Sequence, residues 1–445
     1  MTESATRAAT VALLALLAVL LAGCDLGWLG AEDDDPPLPG QRLSILRLER
    51  SLEPDPDIAN QDVRLPPPLA NVAWPQSGGI PSHAMHHLAV GNALNEIWRR
   101  DVGSGETSDN LILTGPVVAD GRVFVLDAES TITAFDLDEG RSLWEIDLIP
   151  ETEETESSLG GGVAYDEGKL FVATAYGEVL SIDPKTGAIS WRVTVNAPIR
   201  SAPTVAGGHL FAVTFDNQLI AIDTADGAVM WSHTGITESA GVLGAAAPAV
   251  SGDVVIAPFS SGELFALDIT SGRVLWSDSL IFQGRQTTIT VLSDIDASPV
   301  IDRGVVIAAS QGGRLVALDL RSGQRLWEQE IASSDTPWIA GDFLYVLTSD
   351  GDVVCLRRDD GRIRWVTSLD GWGVAGEIAT VWSGPILAGD RLVVVGSQGE
   401  SLAVSPYSGK VLGRFDLPDG VRVAPVVAGK TLYILTVEAE LVALR

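Results

Sequence analysis

The sequence predicts an all-β fold, an eight-bladed β-propeller built from four-stranded blades. One local pattern recurs along the chain at intervals of 38 to 51 residues: a turn glycine followed four positions later by tryptophan. Each interval holds four short apolar runs separated by turn residues. Such a period is typical of propeller blades rather than of helical repeats. The tryptophans of this pattern are Trp144, Trp191, Trp231, Trp276, Trp327 and Trp365, and Trp98 precedes them in a similar strand.

The unit that ends at Trp231 illustrates how each blade is divided. Its turns are Gly207-Gly208 and Thr224-Ala225-Asp226-Gly227, and the glycine of the second turn is expected to take a positive φ. The expected strands, from inner to outer, are residues 202–205, 210–214, 219–223 and 228–232. The same order of strands and turns recurs in the other units.

The tryptophans are predicted to hold neighbouring blades together. Small residues such as Ala221, Ala266 and Ala317 recur where a large ring from another blade has to fit. An indole on each outer strand, packed against the alanine and glycine of a neighbouring blade, would contribute roughly 1.5–3 kcal/mol by burial. The series is therefore assigned a structural role and not a catalytic one.

Ring closure is predicted to join the two ends of the repeat region. The last unit, Val423 to Arg445, supplies only three strands, and Gly413 stands where an eighth tryptophan would be expected. The segment Asn95 to Arg100 precedes the first full blade and can supply the missing outer strand by pairing with residues 441–444. Such closure removes exposed sheet edges.

The N-terminal region divides into a signal peptide, residues 1–23, and a tether and cap segment, residues 24–92, before the propeller, residues 93–445. The apolar run from Val11 to Ala22 is too short for a membrane span and is typical of a secretory signal. Residues 25–72 are rich in proline and acidic residues, which predicts an extended, solvated chain.

The junction Leu21-Ala22-Gly23-Cys24 resembles the bacterial lipobox. This resemblance implies cleavage before Cys24 and attachment of lipid to its thiol. An ordinary signal peptide with a chance cysteine is the alternative.

The net charge, the cysteines and the histidines argue against several classes of function. A formal net charge of −30 disfavours nucleic acid and anionic lipid surfaces as partners. Cys355 occupies the small-residue position of its blade, so we expect it to be buried and unreactive. His83, His86 and His87 lack the companion ligands of a metal site, and a role in a cap loop is favoured. No catalytic residue, metal or cofactor is predicted.

Two stretches carry a resemblance to known families. The repeated Ala-x-Asp-x-x-x-Gly-x-x-x-Trp unit resembles the tryptophan-docking repeat of quinoprotein (PQQ-type) propellers over about residues 93–445. The segment from Leu292 to Val300, followed by Ala317 to Gln324, is similar to the BamB family of outer-membrane protein assembly factors.

The resemblance to BamB implies a non-enzymatic lipoprotein of the outer-membrane β-barrel assembly (BAM) complex. Such a scaffold would help to deliver and insert outer-membrane proteins, with a lipid anchor at the periplasmic face of the outer membrane. Its implied partners are the periplasmic repeats of the barrel-forming assembly subunit and unfolded outer-membrane protein clients.

Two alternatives stay open. A periplasmic PQQ-dependent dehydrogenase would use aromatic walls, for which Trp338, Trp372 and Trp382 are candidates. The lone Cys355 cannot form the adjacent-cysteine disulfide of the quinoprotein alcohol dehydrogenases. The second alternative is a scaffold anchored at the inner membrane, because Asp25 resembles the retention signal of enteric lipoproteins.

The partner surface is predicted on two connections between blades. In the connection from Leu280 to Ser298, Arg285, Asp294 and Asp296 are expected to protrude as local charges around an apolar centre. The preceding connection, Ser239 to Ala247, contributes Val242 and Leu243.

The resemblance implies that this pair of connections meets the assembly subunit, although Leu243 replaces a basic residue of the family motif. Reversing Asp294 and Asp296 to arginine is expected to abolish partner capture without changing the thermal melt. A turn-capping role for Asp296 is the structural alternative.

Overall fold

Eight antiparallel sheets of four strands each, arranged as the blades of a β-propeller, are formed by the residues that the structure describes. The structure is a computed structural model, and it describes residues 52–151, 159–237, 246–281, 294–373 and 379–445. Within these ranges, no helix has the length and apolar character needed for a membrane span. The predicted fold class is confirmed.

Each blade contributes one inner strand, two middle strands and one outer strand. The chain begins the ring with β1 (Glu96–Asp101), which belongs to the last blade. Blades 1 to 4 contain β2 (Val117–Ala119), β3 (Arg122–Leu126), β4 (Thr131–Asp136), β5 (Ser142–Asp147); β6 (Gly161–Asp166), β7 (Lys169–Thr174), β8 (Glu178–Ile182), β9 (Ile189–Thr194); β10 (Thr204–Ala206), β11 (His209–Val213), β12 (Gln218–Asp223), β13 (Val229–Thr234); and β14 (Ala249–Ser251), β15 (Val254–Pro258), β16 (Glu263–Asp268), β17 (Val274–Ser279).

Blades 5 to 8 follow the same order, except that blade 8 takes its outer strand from β1. They contain β18 (Val300–Asp302), β19 (Val305–Ser310), β20 (Arg314–Asp319), β21 (Arg325–Gln329); β22 (Trp338–Ala340), β23 (Phe343–Leu347), β24 (Asp352–Arg357), β25 (Ile363–Ser368); β26 (Trp382–Leu387), β27 (Leu392–Gly396), β28 (Glu400–Val404), β29 (Val411–Asp416); and β30 (Val426–Ala428), β31 (Thr431–Leu435), β32 (Glu440–Leu444).

The ring closes as the sequence predicts. Strand β1 pairs antiparallel with β32, with Trp98 opposite Ala443 and Arg100 opposite Leu441. Backbone hydrogen bonds between Asn95 and Arg445 extend the ladder. The two ends of the repeat region therefore share one sheet, which leaves no gap in the ring.

Every outer strand carries a β-bulge immediately before its docking position. In blade 3, for example, Ala221 pairs with Trp231 but Ile222 pairs with Val229, so Met230 is the extra residue. The residue opposite the docking position is small in every blade: Ala134, Ser181, Ala221, Ala266, Ala317, Cys355, Ala403 and Ala443. A bulge increases local twist and re-aims a side chain.

Each indole packs on the turn glycine of the next blade, as predicted. A Cβ added at these glycines would stand 2.6 to 3.1 Å from indole carbons. The pairs are Trp98–Gly140, Trp144–Gly187, Trp191–Gly227, Trp231–Gly272, Trp276–Gly323, Trp327–Gly361 and Trp365–Gly409. From Trp144 onward, the indole N–H also donates to the carbonyl three residues before that glycine, at 2.6 to 3.4 Å.

An N-terminal segment, residues 71–95, makes a full lap along the inner strands of the ring; we call it the belt. Its backbone and side chains form hydrogen bonds with every blade in order. Most of these bonds are made at the edge of the inner strand that faces the centre of the ring. The contacts are Asn71 to Gly429, Trp74 to Val118, Pro75 to Tyr165, Gln76 to Val205, Pro81 to Val250, Ser82 to Ile301, His86 to Trp338, Leu88 to Leu387 and Asn95 to Arg445.

The expectation of a solvated tether over residues 25–72 is wrong for its C-terminal part. Residues from Leu52 onward belong to the same compact unit as the propeller, and Ile58 and Val63 are buried. The amide of Asp55 donates to Ile363 in blade 6, at 2.8 Å. Proline excludes a regular ladder, but it does not prevent a segment from packing against one. Residues 1–51 lie outside the described residues.

Candidate functional site

A buried ionic cluster occupies the position of the predicted partner surface. Arg200, which precedes inner strand β10, lies between Asp294 and Asp296, which precede β18. Its guanidinium is 3.9 Å from the Asp294 carboxylate and 3.6 Å from that of Asp296. All three side chains are at most 5% exposed. The cluster therefore links blade 3, which follows Arg200, to blade 5, which follows the two aspartates.

The prediction that Asp294 and Asp296 protrude is therefore wrong. The long connection returns to the interior of the ring at these residues, and the amide of Gln311 donates to the Asp294 carbonyl at 3.0 Å. Breaking a buried ionic contact is strongly destabilising. We therefore now expect reversal of both carboxylates to disturb folding and to lower the thermal melt.

The electrostatics of this cluster favour a proton on Asp296. Burial raises the pKa of Asp296 to about 7, the Asp294 charge adds to the rise, and Arg200 opposes it. Both Asp296 carboxylate oxygens lack a hydrogen-bond partner among the described residues. Sequence reasoning missed Arg200 because it lies within the blade repeat and nothing local marks it as a partner of residues in a distant blade.

One exposed apolar side chain lies beside the cluster, and two more follow the outer strands of blades 3 and 4. The Arg200 guanidinium carbon is 5.5 Å from the ring centroid of Phe215, which is 42% exposed. Ile236, 60% exposed, follows the outer strand of the same blade, and its carbonyl accepts a hydrogen bond from Asn217. Ile281, 43% exposed, follows the outer strand of blade 4. Arg285, Val242 and Leu243 lie outside the described residues.

A second candidate site is a cavity of about 360 Å³ in the centre of the ring, which we call the cup. Its walls come from segments before or at the start of the inner strands, including Ser298, Asp335 and Trp382. Belt residues Trp74, Gly78 and His83 also line it. Because the belt bonds to the later residues of the inner strands, it forms the floor of the cup.

The belt histidines have structural roles, as predicted for a cap loop. The Nδ1 atom of His83 is 2.7 Å from the Pro299 carbonyl, and that of His87 is 2.8 Å from the Pro66 carbonyl. A carbonyl can only accept, so each Nδ1 carries the proton. Burial lowers the pKa of His83 to about 4. In the described part of the chain, no group of His, Cys, Asp or Glu is arranged to hold a metal.

Cys355 occupies the position that the sequence predicts. It pairs with Trp365 as Ala317 pairs with Trp327, and its side chain is fully buried. Burial also raises the pKa of its thiol. Of the three tryptophans proposed as aromatic walls, Trp338 and Trp382 line the cup, whereas Trp372 is 39% exposed and lies elsewhere.

The closed ring, the glycine-docked indoles and the repeat together define a PQQ-type, tryptophan-docking β-propeller protein. The model of the family described as outer membrane protein assembly factor BamB matches residues 92–156 and 130–367. The chain belongs to this family.

Individual relatives agree with this assignment. The chain is 30% identical to the BamB of Salmonella typhimurium strain LT2, over 76% of this chain and 85% of the relative. It is 27% identical to the BamB of Xanthomonas campestris pv. campestris, over 94% of this chain and 90% of the relative.

Solved structures share the fold. The structure of BamB from Moraxella catarrhalis matches with a TM-score of 0.66 at 18% identity, over 79% of this chain and 99% of that one. A europium-containing methanol dehydrogenase matches with a TM-score of 0.65 at 14% identity, over 82% of this chain and 89% of that one. At these identities the likeness concerns the fold alone. The belt lies almost entirely before residue 92, where the family match begins.

Proposed function

We propose that this protein is a non-enzymatic, lipid-anchored subunit of the outer-membrane β-barrel assembly complex, located at the periplasmic face of the outer membrane. In this role it helps to deliver and insert outer-membrane proteins. The observation that carries the proposal is the 30% identity to an outer membrane protein assembly factor across 85% of that factor's length.

The contact with the barrel-forming assembly subunit is proposed to use the ring edge near blades 3 and 4. Phe215, Ile236 and Ile281 supply exposed apolar area, which interface centres require. Arg200 and Asp296 lie beneath, where they hold the connections in place. In this proposal Asp294 and Asp296 stabilise the surface from inside and do not contact the partner. Arg285, Val242 and Leu243 remain candidate contacts.

Affinity capture with a matched pair of substitutions tests this surface. Ile236→Asp should abolish capture of the assembly subunit from solubilised membranes. Leu412→Asp is the control, because Leu412 is 56% exposed on the outer strand of blade 7. Both variants should melt like the parent protein. Equal capture by both variants would move the interface away from Ile236.

Lipid attachment at Cys24 has its own test. Cys24→Ala should leave the signal peptide uncleaved at that site and remove labelling by radioactive palmitate. Undiminished labelling would contradict the anchor. Membrane fractionation of the parent protein separates outer-membrane placement from the inner-membrane placement that Asp25 suggests.

The competing dehydrogenase function predicts a bound quinone and calcium. An absorbance spectrum and a calcium analysis of the purified protein distinguish the two functions. The assembly scaffold predicts neither a quinone absorption band nor stoichiometric calcium, and the presence of both would favour the enzyme.

A further inference from the structure

We infer that the cup binds an organic cation that carries several N–H donors, namely a guanidinium or ammonium group. This inference rests on the cup alone and not on the proposed assembly role. Three features support it: unsatisfied acceptors, an acidic group without a counter-ion, and aromatic walls.

Three buried atoms of the lining have no hydrogen-bond partner among the described residues, and all three accept hydrogen bonds when Asp296 is ionised. Because Nδ1 of His83 donates to Pro299, its Nε2 carries a lone pair, and that atom has no partner in the described structure. Both oxygens of Asp296 also lack a hydrogen-bond partner there. His83 and Asp296 are more than nine-tenths buried, and both line the cup. Buried acceptors are normally bonded, so a donor-rich occupant fits this lining.

The lining contains two carboxyl groups, Asp296 and Asp335, and one arginine, Arg422. Asp335 accepts a hydrogen bond from the Gly384 amide at 2.8 Å, and no described cation forms an ion pair with it. Arg422, the only described cation in the lining, is held by Glu106 through two hydrogen bonds of 2.8 and 2.9 Å. Burial raises the pKa of Asp335 to about 7. A cation beside this carboxylate would favour its ionised form.

Aromatic rings complete the site. Trp74 of the belt stacks on Trp338, with ring centroids 6.4 Å apart and an interplanar angle of 15°. The Trp338 N–H donates to the His86 carbonyl at 2.7 Å, which fixes the ring, and Trp382 lines the same cavity. Indole faces attract cations, and a volume of 360 Å³ lies in the range of small-ligand pockets.

Isothermal titration of the purified full-length protein tests the inference with two matched ligands. N-acetyl-arginine amide should bind at least about tenfold more tightly than N-acetyl-citrulline amide, which has the same shape but no charge. Spermidine forms a separate arm: tighter binding of spermidine points to a free polyamine, and tighter binding of the arginine derivative points to a peptide side chain. Equal binding of the arginine and citrulline derivatives, or no binding of any cation, would overturn the inference.

Substitutions locate the binding within the protein. Asp335→Asn keeps the acceptor for Gly384 but removes the charge, so it should weaken binding of the arginine derivative by about tenfold or more. Asp335→Glu should retain the preference for arginine over citrulline. Asp370→Asn, at an exposed position of blade 6, is the control and should bind like the parent. Unchanged binding by a folded Asp335→Asn variant would exclude the cup as the site.

Discussion

The indole of Trp276 lies directly against Gly323 of the following blade. A Cβ at Gly323 would stand 2.6 Å from Cδ2 of the indole, and the Trp276 N–H donates to Leu320 at 2.8 Å. Glycine is therefore required there for two reasons: its φ is +69°, and the ring occupies the space of a side chain. At six other blade junctions an indole lies in the same way against a glycine with positive φ.

Trp276→Ala should lower the free energy of unfolding by about 3–5 kcal/mol, because it opens a cavity between two blades and removes the bond to Leu320. Trp372→Ala is the matched control. Trp372 is 39% exposed against 8% for Trp276, so its loss should cost clearly less, about 2 kcal/mol or less. Denaturant melts of both variants measure the difference. Similar losses would show that inter-blade burial is not the cause.

Gly323→Ala and Gly304→Ala separate backbone strain from docking. Both glycines have positive φ, +69° and +78°, but a Cβ at Gly304 meets nothing within 4 Å. Each variant should incur the conformational cost of about 1–2 kcal/mol. Gly323→Ala should lose about 1–3 kcal/mol more, because its methyl group overpacks the indole. Thermal melts of the two variants measure the difference. Equal losses of stability would refute the docking argument.

Gly413→Trp should be tolerated with a stability change within about 0.5 kcal/mol. Gly413 is exposed, and a Cβ there meets nothing within 4 Å. In the closing blade, β32 and β1 are not joined by a turn, so there is no turn glycine for an indole to dock on. This absence explains why the eighth tryptophan is missing. A marked gain of stability in a denaturant melt would reveal a docking site that this arrangement lacks.

Gln76→Ala tests whether the belt stabilises the ring. The side chain is buried, accepts from the Val205 amide at 2.9 Å and donates back to its carbonyl at 3.4 Å. Removal leaves that buried amide unsatisfied, which should cost about 1–3 kcal/mol in a denaturant melt. Gln61→Ala, at an exposed side chain, should cost about 0.5 kcal/mol or less.

Asp296→Asn should change how stability depends on pH. The pKa of Asp296 is raised in the folded protein, from 3.8 to about 7, so between these values the folded state holds a proton that the unfolded state has lost. Its contribution to stability is present below about pH 4 and is lost as pH rises to about 7. The asparagine variant should lack this decline, so the difference in stability between variant and parent should shift in favour of the variant as pH rises from 4 to 8. An unchanged slope in melts from pH 4 to pH 8 would contradict the assignment.

The sequence by itself determined the blade repeat, the docking of each indole, the position of Cys355 and the closure of the ring by Asn95 to Arg100. These features follow from local rules: strand alternation, turn glycines and a constant spacing between units. Each repeat shows the same spacing, and comparison of the repeats reveals both the small-residue position that Cys355 occupies and the strand that the last unit lacks.

Only the tertiary structure decided the lap of the belt, the floor of the cup, and the burial of Asp294 and Asp296 around Arg200. Each of these depends on contacts between segments that are far apart in the chain. A proline-rich composition excludes a regular strand, but it leaves open whether the segment is solvated or packed. A long interval between repeats likewise shows where an insertion lies, but not whether the inserted chain points outward or inward. Here a neighbouring blade places Arg200 beside Asp296, and the connection turns into the ring.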